Sequence, residues 1–597
     1  MSDLPDSQAL SSEERPAQET PLLAKEYHIT SLQRIAHMLY GFTPFERLLL
    51  YLFSILLSVS TLILVVAVNQ NVIVTVPASG GVLKEGTIGT PRFINPLLAI
   101  SEADQDISML VYSGLVRATP EGNLIPDLAE SYEISSDGTM YTFHLRPKAT
   151  FHDGTPITAD DVIFTISLAQ NPDIKSPKRA DWEGVTAKAL DSETIVFTLP
   201  NAYAPFLENA QLGILPKHLW NGISPEEFQF HALNTHPIGS GPYAIFDISK
   251  DATGAPVGYT LKAFNAFVLG KPYLSTITFT FFSNEEGLLR GFSDGTIDSF
   301  AGVTPDQAVL ATRVDTQLLH ADSTRVFGVF FNQNRAAVFT DRAARKALEA
   351  AVGRKNIVQS VLGGAGKVLH GPIPPALLSG EDTDQELPPE ERAEAARQIL
   401  RDDKWEFNEM TGLWTKNKQT LSFALATADT PELVATADAL AKDWEAAGIK
   451  VDVQIYPLAE FNPNVLRPRA YDAVVFGEVV GRTLDLFAFW HSSQRNDPGL
   501  NLALYANASA DRLLASARIE TNKRERAKLY RDFVETLDDD KPAVFLYTPD
   551  FVYLLPKKIQ GVQLGSLTSP AERFLDAYHW YTDTENVWDL FTNRNLL

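Results

Sequence analysis

No cysteine occurs anywhere in the 597 residues. That absence excludes disulfides, thiol nucleophiles and thiolate metal sites together. It also excludes the lipidated cysteine that anchors bacterial surface lipoproteins, so any hold on a membrane requires another device. Basic residues are the second shortage: 51 Lys and Arg stand against 74 Asp and Glu, a formal charge of -23. Nucleic-acid binding needs clustered cations to neutralise phosphates, and none is expected here. Low-complexity bias is missing too, since a chain that is 45% hydrophobic and 21% charged has the composition of folded domains. Its length is too great for one core and implies two or three packed lobes.

Long apolar runs are scarce, with one exception. Leu48 to Val68, LLLYLFSILLSVSTLILVVAV, carries no charge, and its length of about 21 residues matches what a hydrocarbon core requires. Thr43, Pro44 and Glu46 upstream form a capping-box start, with proline at the first helical position. The spacing predicts a transmembrane helix over 44–68, uncleaved because the apolar run is long for a signal segment and no convincing small-x-small site follows it. Lys25, Arg34 and Arg47 precede the span and only Lys84 and Arg92 soon follow it, which predicts a cytoplasmic N-terminus. In the tail 1–43, residues 1–24 are rich in Ser, Pro, Glu and Gln and are expected to be disordered. Ile29, Leu32, Ile35, Ala36 and Leu39 fall at helical spacing, as in a helix lying on the membrane face or docking a cytoplasmic partner. Residues 69–79 read as a connector, and the large body begins near Gly80.

In that body, MYTFHL (Met140 to Leu145) and TIVFTL (Thr194 to Leu199) alternate as strands. Between them, Thr158 caps a helix whose first turn holds Asp160 and Asp161. Carboxylates in that position complement the exposed N–H groups, so this aspartate pair is structural. Farther on, LSFALA (Leu421 to Ala426), an amphipathic helix over 431–447 and IKVDVQIY (Ile449 to Tyr456) make a βαβ unit, hence a parallel pair. Leu433, Ala437, Leu440, Ala441 and Trp444 form the helix's apolar stripe, and Gly448 ends it. AVVF (Ala473 to Phe476) and PAVFLY (Pro542 to Tyr547) add strands. No internal repeat is found. Two lobes are expected, with the chain crossing near Arg325 to Asn332 and returning near Pro542.

Three strings suggest chemistry and do not carry it. Gly291 to Gly295 fits G-x-S-x-G, but a nucleophile elbow needs strand before and helix after, and here the order is reversed. GGAGK (Gly363 to Lys367) lacks the first glycine of a phosphate loop and has Val368 where Ser or Thr is required. His144 with His152, and His231 with His236, lack an H-E-x-x-H context.

From Gly80 to Trp588 the ordered segments INPLL, PDLAESYEIS, SSDGTMYTFHLRPKATFHDGTPITADDVIFT, PIGSGPY, GTIDSF, VFFNQN, GPIPP, AAGIKVDV and DDDKPAVFLY resemble the extracellular solute-binding proteins of family 5. These are the oligopeptide and dipeptide receptors of ABC importers. The resemblance implies an α/β, two-lobe, periplasmic-binding-protein-like clamshell of class II with three subdomains, preceded here by one transmembrane helix. The first lobe would span 80–325 with an inserted subdomain at about 116–195, the second 326–540, and 541–597 would return to the first. It implies a receptor and not an enzyme, without cofactor, that closes on a peptide and works with an ABC permease and separate ATPase subunits. Receptors of this family often pair the ligand's amine with an aspartate in the region of GEVVGRTLDLFAFW (Gly477 to Trp490). Arg482 stands near that position and Asp485 one turn later, so Arg482 facing the cleft would favour an anion and Asp485 an amine. Trp490, Asn95 and Asn332 are the other candidate ligand contacts. A nonpeptide cargo such as nickel or haem, or a membrane-anchored sensor or surface interaction protein reusing the fold, are the alternatives.

Overall fold

The computed structural model describes residues 41–378 and 386–588. The tail through residue 40, including the Ile29 to Leu39 stripe, lies outside them. The described residues divide into two compact units, 41–75 with 586–588, and 76–585.

The first unit is built on one helix, Pro44–Val72. Its start is the expected box: Thr43 N donates to Glu46 Oε2 at 2.7 Å and Glu46 N to Thr43 Oγ1 at 3.4 Å. Of this helix, Pro44–Asn69 is long and apolar enough to cross a membrane. The connector expected at 69–79 is not irregular. Residues 69–72 continue the helix, and Ile73–Pro77 is a strand paired with Thr584–Trp588. Thr75 Oγ1 donates to Asn586 Oδ1 at 2.9 Å. The β-branched sequence IVTV explains the strand.

The second unit is organised by a 13-stranded sheet. In one part Gly80–Ile88 runs parallel to Leu274–Phe282 and to Ser299–Phe300, and Pro256–Ala263 and Tyr243–Lys250 extend it in antiparallel fashion. In the other, Ser422–Ala428 is parallel to Lys450–Tyr456 and to Ala473–Val479, which pairs antiparallel with Arg325–Phe331. The 14-residue strand Ala543–Pro556 serves both parts. Phe327 faces Tyr547 near its start and Leu318 faces Leu554 near its end.

Two large hydrophobic clusters define the lobes. Val326 to Phe331 and Val544 to Tyr547 belong to one, while Leu83, Ala321, Tyr553 and Leu555 belong to the other. The chain therefore crosses at 323–325 and at 548–551, slightly outside the crossings expected near Arg325 to Asn332 and Pro542. The strands at those places are second-lobe core because their side chains are buried on both faces.

The inserted sheet has the antiparallel order Ala129–Ile134, Met140–Leu145, Thr194–Thr198, Thr186–Ala189. Tyr141, Phe143 and Leu145 point inward as their alternation requires. Helix Ala159–Gln170 packs beside it, with Val162, Thr165, Ile166 and Ala169 buried. Thr158 N donates to Asp161 Oδ2 at 2.9 Å and Lys217 pairs with Asp160 at 2.9 Å. Both aspartates are thus occupied in structure. In the second lobe, helix Pro431–Ala446 buries Leu433, Ala437, Leu440, Ala441 and Trp444. Gly448 has φ +83°, and a Cβ there would stand 2.8 Å from Phe407.

Left-handed backbone and crowding act together at Gly448. Gly448→Ala is expected to lower the unfolding free energy by about 1–3 kcal/mol, read from denaturant melts of the variant beside the parent.

Candidate functional site

The three parallel strands of the second lobe share one direction, and in open α/β sheets ligands lie outside the carboxyl ends of such strands. Helix Pro431–Ala446 begins just after the end of Ser422–Ala428. Its first turn puts Glu432 at the edge of a cavity of 550 Å³ lined by both lobes. The first lobe contributes Glu285, Thr304 and Thr568, and the crossings contribute Arg325 and Asp550. Glu432 accepts a hydrogen bond from Tyr547 Oη at 3.0 Å. Burial pushes its carboxyl up, opposed by that hydrogen bond and by the Arg325 charge. Burial likewise raises Asp550, with Lys367 and His320 opposing. The Arg325 guanidinium makes no hydrogen bond or ion pair among the described residues, and Glu285 Oε1 has no partner. A second cavity, of 640 Å³, lies inside the second lobe alone.

A clasp between the lobes lies beyond the cavity wall. Loop residues Arg482 and Thr483 donate their backbone N–H groups to Glu208 of the first lobe at 2.9 and 3.1 Å, and the Thr483 hydroxyl adds a third bond. Arg482 Nη2 pairs with Glu572 at 2.5 Å, its side chain 3% exposed, and Nη1 donates to Ser566 O at 2.8 Å. Asp485 Oδ2 accepts from Tyr203 Oη and from Arg518 Nε, each at 3.1 Å. Gly481 lies close against Glu208, since a Cβ there would stand 3.2 Å from the Glu208 carboxylate.

The five expected contacts therefore separate. Arg482 and Asp485 come together in the clasp, already partnered, and neither lines the 550 Å³ cavity. Asn95 is fully buried in the first lobe, its Nδ2 donating to Asn234 Oδ1 at 3.0 Å and its Oδ1 accepting from Leu97 N at 2.9 Å. Asn332 holds a turn, with Nδ2 to Arg469 O at 3.1 Å and Oδ1 accepting from Asn334 N and Arg335 N. Trp490 is core, packed among Phe330, Tyr505 and Phe545. Sequence reasoning missed Glu432, although a carboxylate in the first turn after a βαβ strand is a readable signal. Arg325 carried a weaker one as the first residue past a crossing, and Glu208 carried none.

The rejected strings behave as their order requires. Helix Glu285–Ser293 precedes strand Ser299–Phe300, the reverse of a nucleophile elbow. Gly363 and Gly364 are left-handed and close helix Arg354–Leu362 ahead of strand Gly366–Val368.

Two lobes joined by paired crossings, with a cavity between them and a clasp across it, make a cleft receptor of the periplasmic-binding type. The chain belongs to the bacterial extracellular solute-binding proteins, family 5 Middle, which it matches over residues 123–526. It is similar to the oligopeptide-binding protein AppA of Bacillus subtilis, 29% identical over 493 residues that cover 81% of this chain and 89% of that protein. The structure of that protein in complex with a nonapeptide superposes with a TM-score of 0.67 at 25% identity, covering 85% of this chain and 100% of that one. NikZ from Campylobacter jejuni, in complex with Ni(L-His), gives 0.67 at 26% identity over 84% and 99%.

One buried acid sits just before the clasp. Glu478 is 5% exposed, its Oε1 has no partner, and burial pushes its carboxyl well above the usual range. An acid whose folded pKa is raised contributes stability that is complete below its unfolded pKa and is lost as pH rises through the folded value. Glu478→Gln is therefore expected to flatten the fall in stability as pH rises above the ordinary glutamate range, with the variant's advantage largest at the upper end. Equal pH slopes for variant and parent in urea unfolding would contradict it.

Proposed function

We propose that this chain is the membrane-tethered peptide receptor of an ABC importer. The observation that carries the reading is the 550 Å³ cavity lined by both lobes, at the carboxyl ends of the second-lobe parallel strands, where closure would enclose a ligand. Membership of a solute-binding family supports it, as does likeness to a protein solved with a nonapeptide. In this reading the apolar helix holds the receptor at the cell membrane with its N-terminus in the cytoplasm and the large body outside. Lys25, Arg34 and Arg47 before the span, against Lys84 and Arg92 after it, support that orientation.

The mechanism follows from the geometry. An extended peptide offers backbone donors and acceptors that rim hydroxyls such as Thr304 and Thr568 can meet directly or through water. Arg482 and Asp485 act in the clasp: Glu208 receives the 481–483 loop only when the lobes approach, and so do the Arg482–Glu572 and Asp485–Tyr203 pairs. A permease that prefers the closed form reads loading through that difference in affinity. Tethering to the same bilayer raises the receptor's effective concentration at the permease, and ATP hydrolysis belongs to separate subunits.

Native mass spectrometry of the full-length chain, extracted from its host in mild detergent, tests the assignment. Heterogeneous short peptides are expected to be released on unfolding. A single nickel or haem complex would overturn the cargo, and a chain that is empty and unresponsive to peptide libraries would favour a sensor. Glu208→Ala is expected to widen the closed state, seen in X-ray scattering as a larger radius of gyration with peptide present.

A further inference from the structure

The charges around the interlobe cavity are not balanced. Among the described residues its walls carry the carboxylates of Glu285, Glu432 and Asp550 and one cation, Arg325. A fourth carboxylate stands directly behind the wall, since a Cβ placed on the lining residue Gly302 would lie 3.6 Å from Glu102 Oε2. Burial and Asp106 raise the Glu102 carboxyl, opposed first by Arg573 and then by Arg325, while the burial that raises Glu432 is opposed by Tyr547 and by the same Arg325. Asp550 is partly offset by Lys367, which is itself paired with Asp322, and by His320 at 4.0 Å. Glu285 has neither cation nor donor at its Oε1. Closing the lobes over a neutral or anionic ligand would thus enclose unmatched negative charge in a space where screening is weak.

We infer that the cavity selects ligands bringing a positive charge, and that a peptide with a lysine or arginine side chain near the hinge is its preferred occupant. The carriers would be Glu432 and Glu285, approaching from opposite lobes. A metal ion fits the arrangement poorly, because among the described residues no three Asp, Glu or His side chains converge on one point. Charges spread along a cavity wall suit an extended organic cation, whose ammonium or guanidinium group can lie between two carboxylates. This inference rests on the peptide-receptor reading and specifies its substrate class.

Calorimetric titration of the full-length chain in detergent with Ala-Ala-Ala, Ala-Lys-Ala and Ala-Glu-Ala tests it. Ala-Lys-Ala is expected to bind about tenfold more tightly than Ala-Ala-Ala, and Ala-Glu-Ala more weakly than either. Glu432→Gln keeps the acceptor for Tyr547, and combined with Glu285→Gln it is expected to reduce the lysine preference to about threefold or less while Ala-Ala-Ala still binds. Equal binding of the three peptides, a preference for glutamate, or a lysine preference that survives both substitutions would overturn the inference and leave the peptide reading intact. Failure of every peptide to bind would overturn both.

Discussion

The lobes are held to one another by a shared β-strand. Ala543–Pro556 gives its first residues to the second-lobe ladder and its last to the first, so neither sheet part can be completed without the other. Between those ends lie the crossings at 323–325 and 548–551, where Thr548 and Pro549 still pair with Lys367 and Gly366 of the second lobe and Asp550 and Phe551 with Asp322 and Ala321 of the first. Backbone hydrogen bonds fix the strand on both sides, and the freedom that remains is rotation about these few residues. The position of the cavity follows from this constraint. Arg325 and Asp550 line it because they sit at the crossings, and Glu432 lines it because the helix after the first parallel strand begins at the same edge.

Polar groups across the cleft are divided between two tasks. The 481–486 loop spends its donors on Glu208, and its two charged side chains are neutralised by Glu572, Arg518 and Tyr203. A salt bridge as buried as Arg482 with Glu572 adds little to stability beyond offsetting its own desolvation, yet it fixes geometry. The cavity walls are different, for Glu285 Oε1 has no partner there and Arg325 faces two carboxylates, Glu102 and Glu432, without a hydrogen bond to either. The first lobe contains the same logic in a structural form: Arg573, almost fully buried, lies between Glu85 and Asp106 at 3.0 and 2.6 Å, and no ligand is needed to complete it.

Much of the fold was legible because its signals are local. Thr43 with Glu46 and Thr158 with Asp161 are capping pairs three residues apart, the stripe Leu433 to Trp444 follows helical period, and Gly448 stops its helix. What escaped is what depends on distant chain. Ile73–Pro77 read as a connector because its partner strand, Thr584–Trp588, lies at the other end of the sequence. Arg482 and Asp485 are only candidate ligand contacts in the sequence, since nothing near them announces Glu572, Glu208 or Tyr203. Asn95 and Trp490 are buried, which the sequence does not show, because burial decides whether a side chain faces a cleft and adjacent residues of one turn can face opposite ways.

The central claim is that two lobes close about the paired crossings when a ligand enters. The absence of cysteine makes this directly measurable, since Lys188→Cys on the inserted sheet and Lys442→Cys on the second-lobe helix, both exposed, would be the only sites for spin labels. Pulsed electron resonance on the full-length chain is expected to give a broad distance distribution without peptide and a shorter, narrower one with Ala-Lys-Ala. A distribution that does not change while the same peptide is shown to bind would contradict closure as the response.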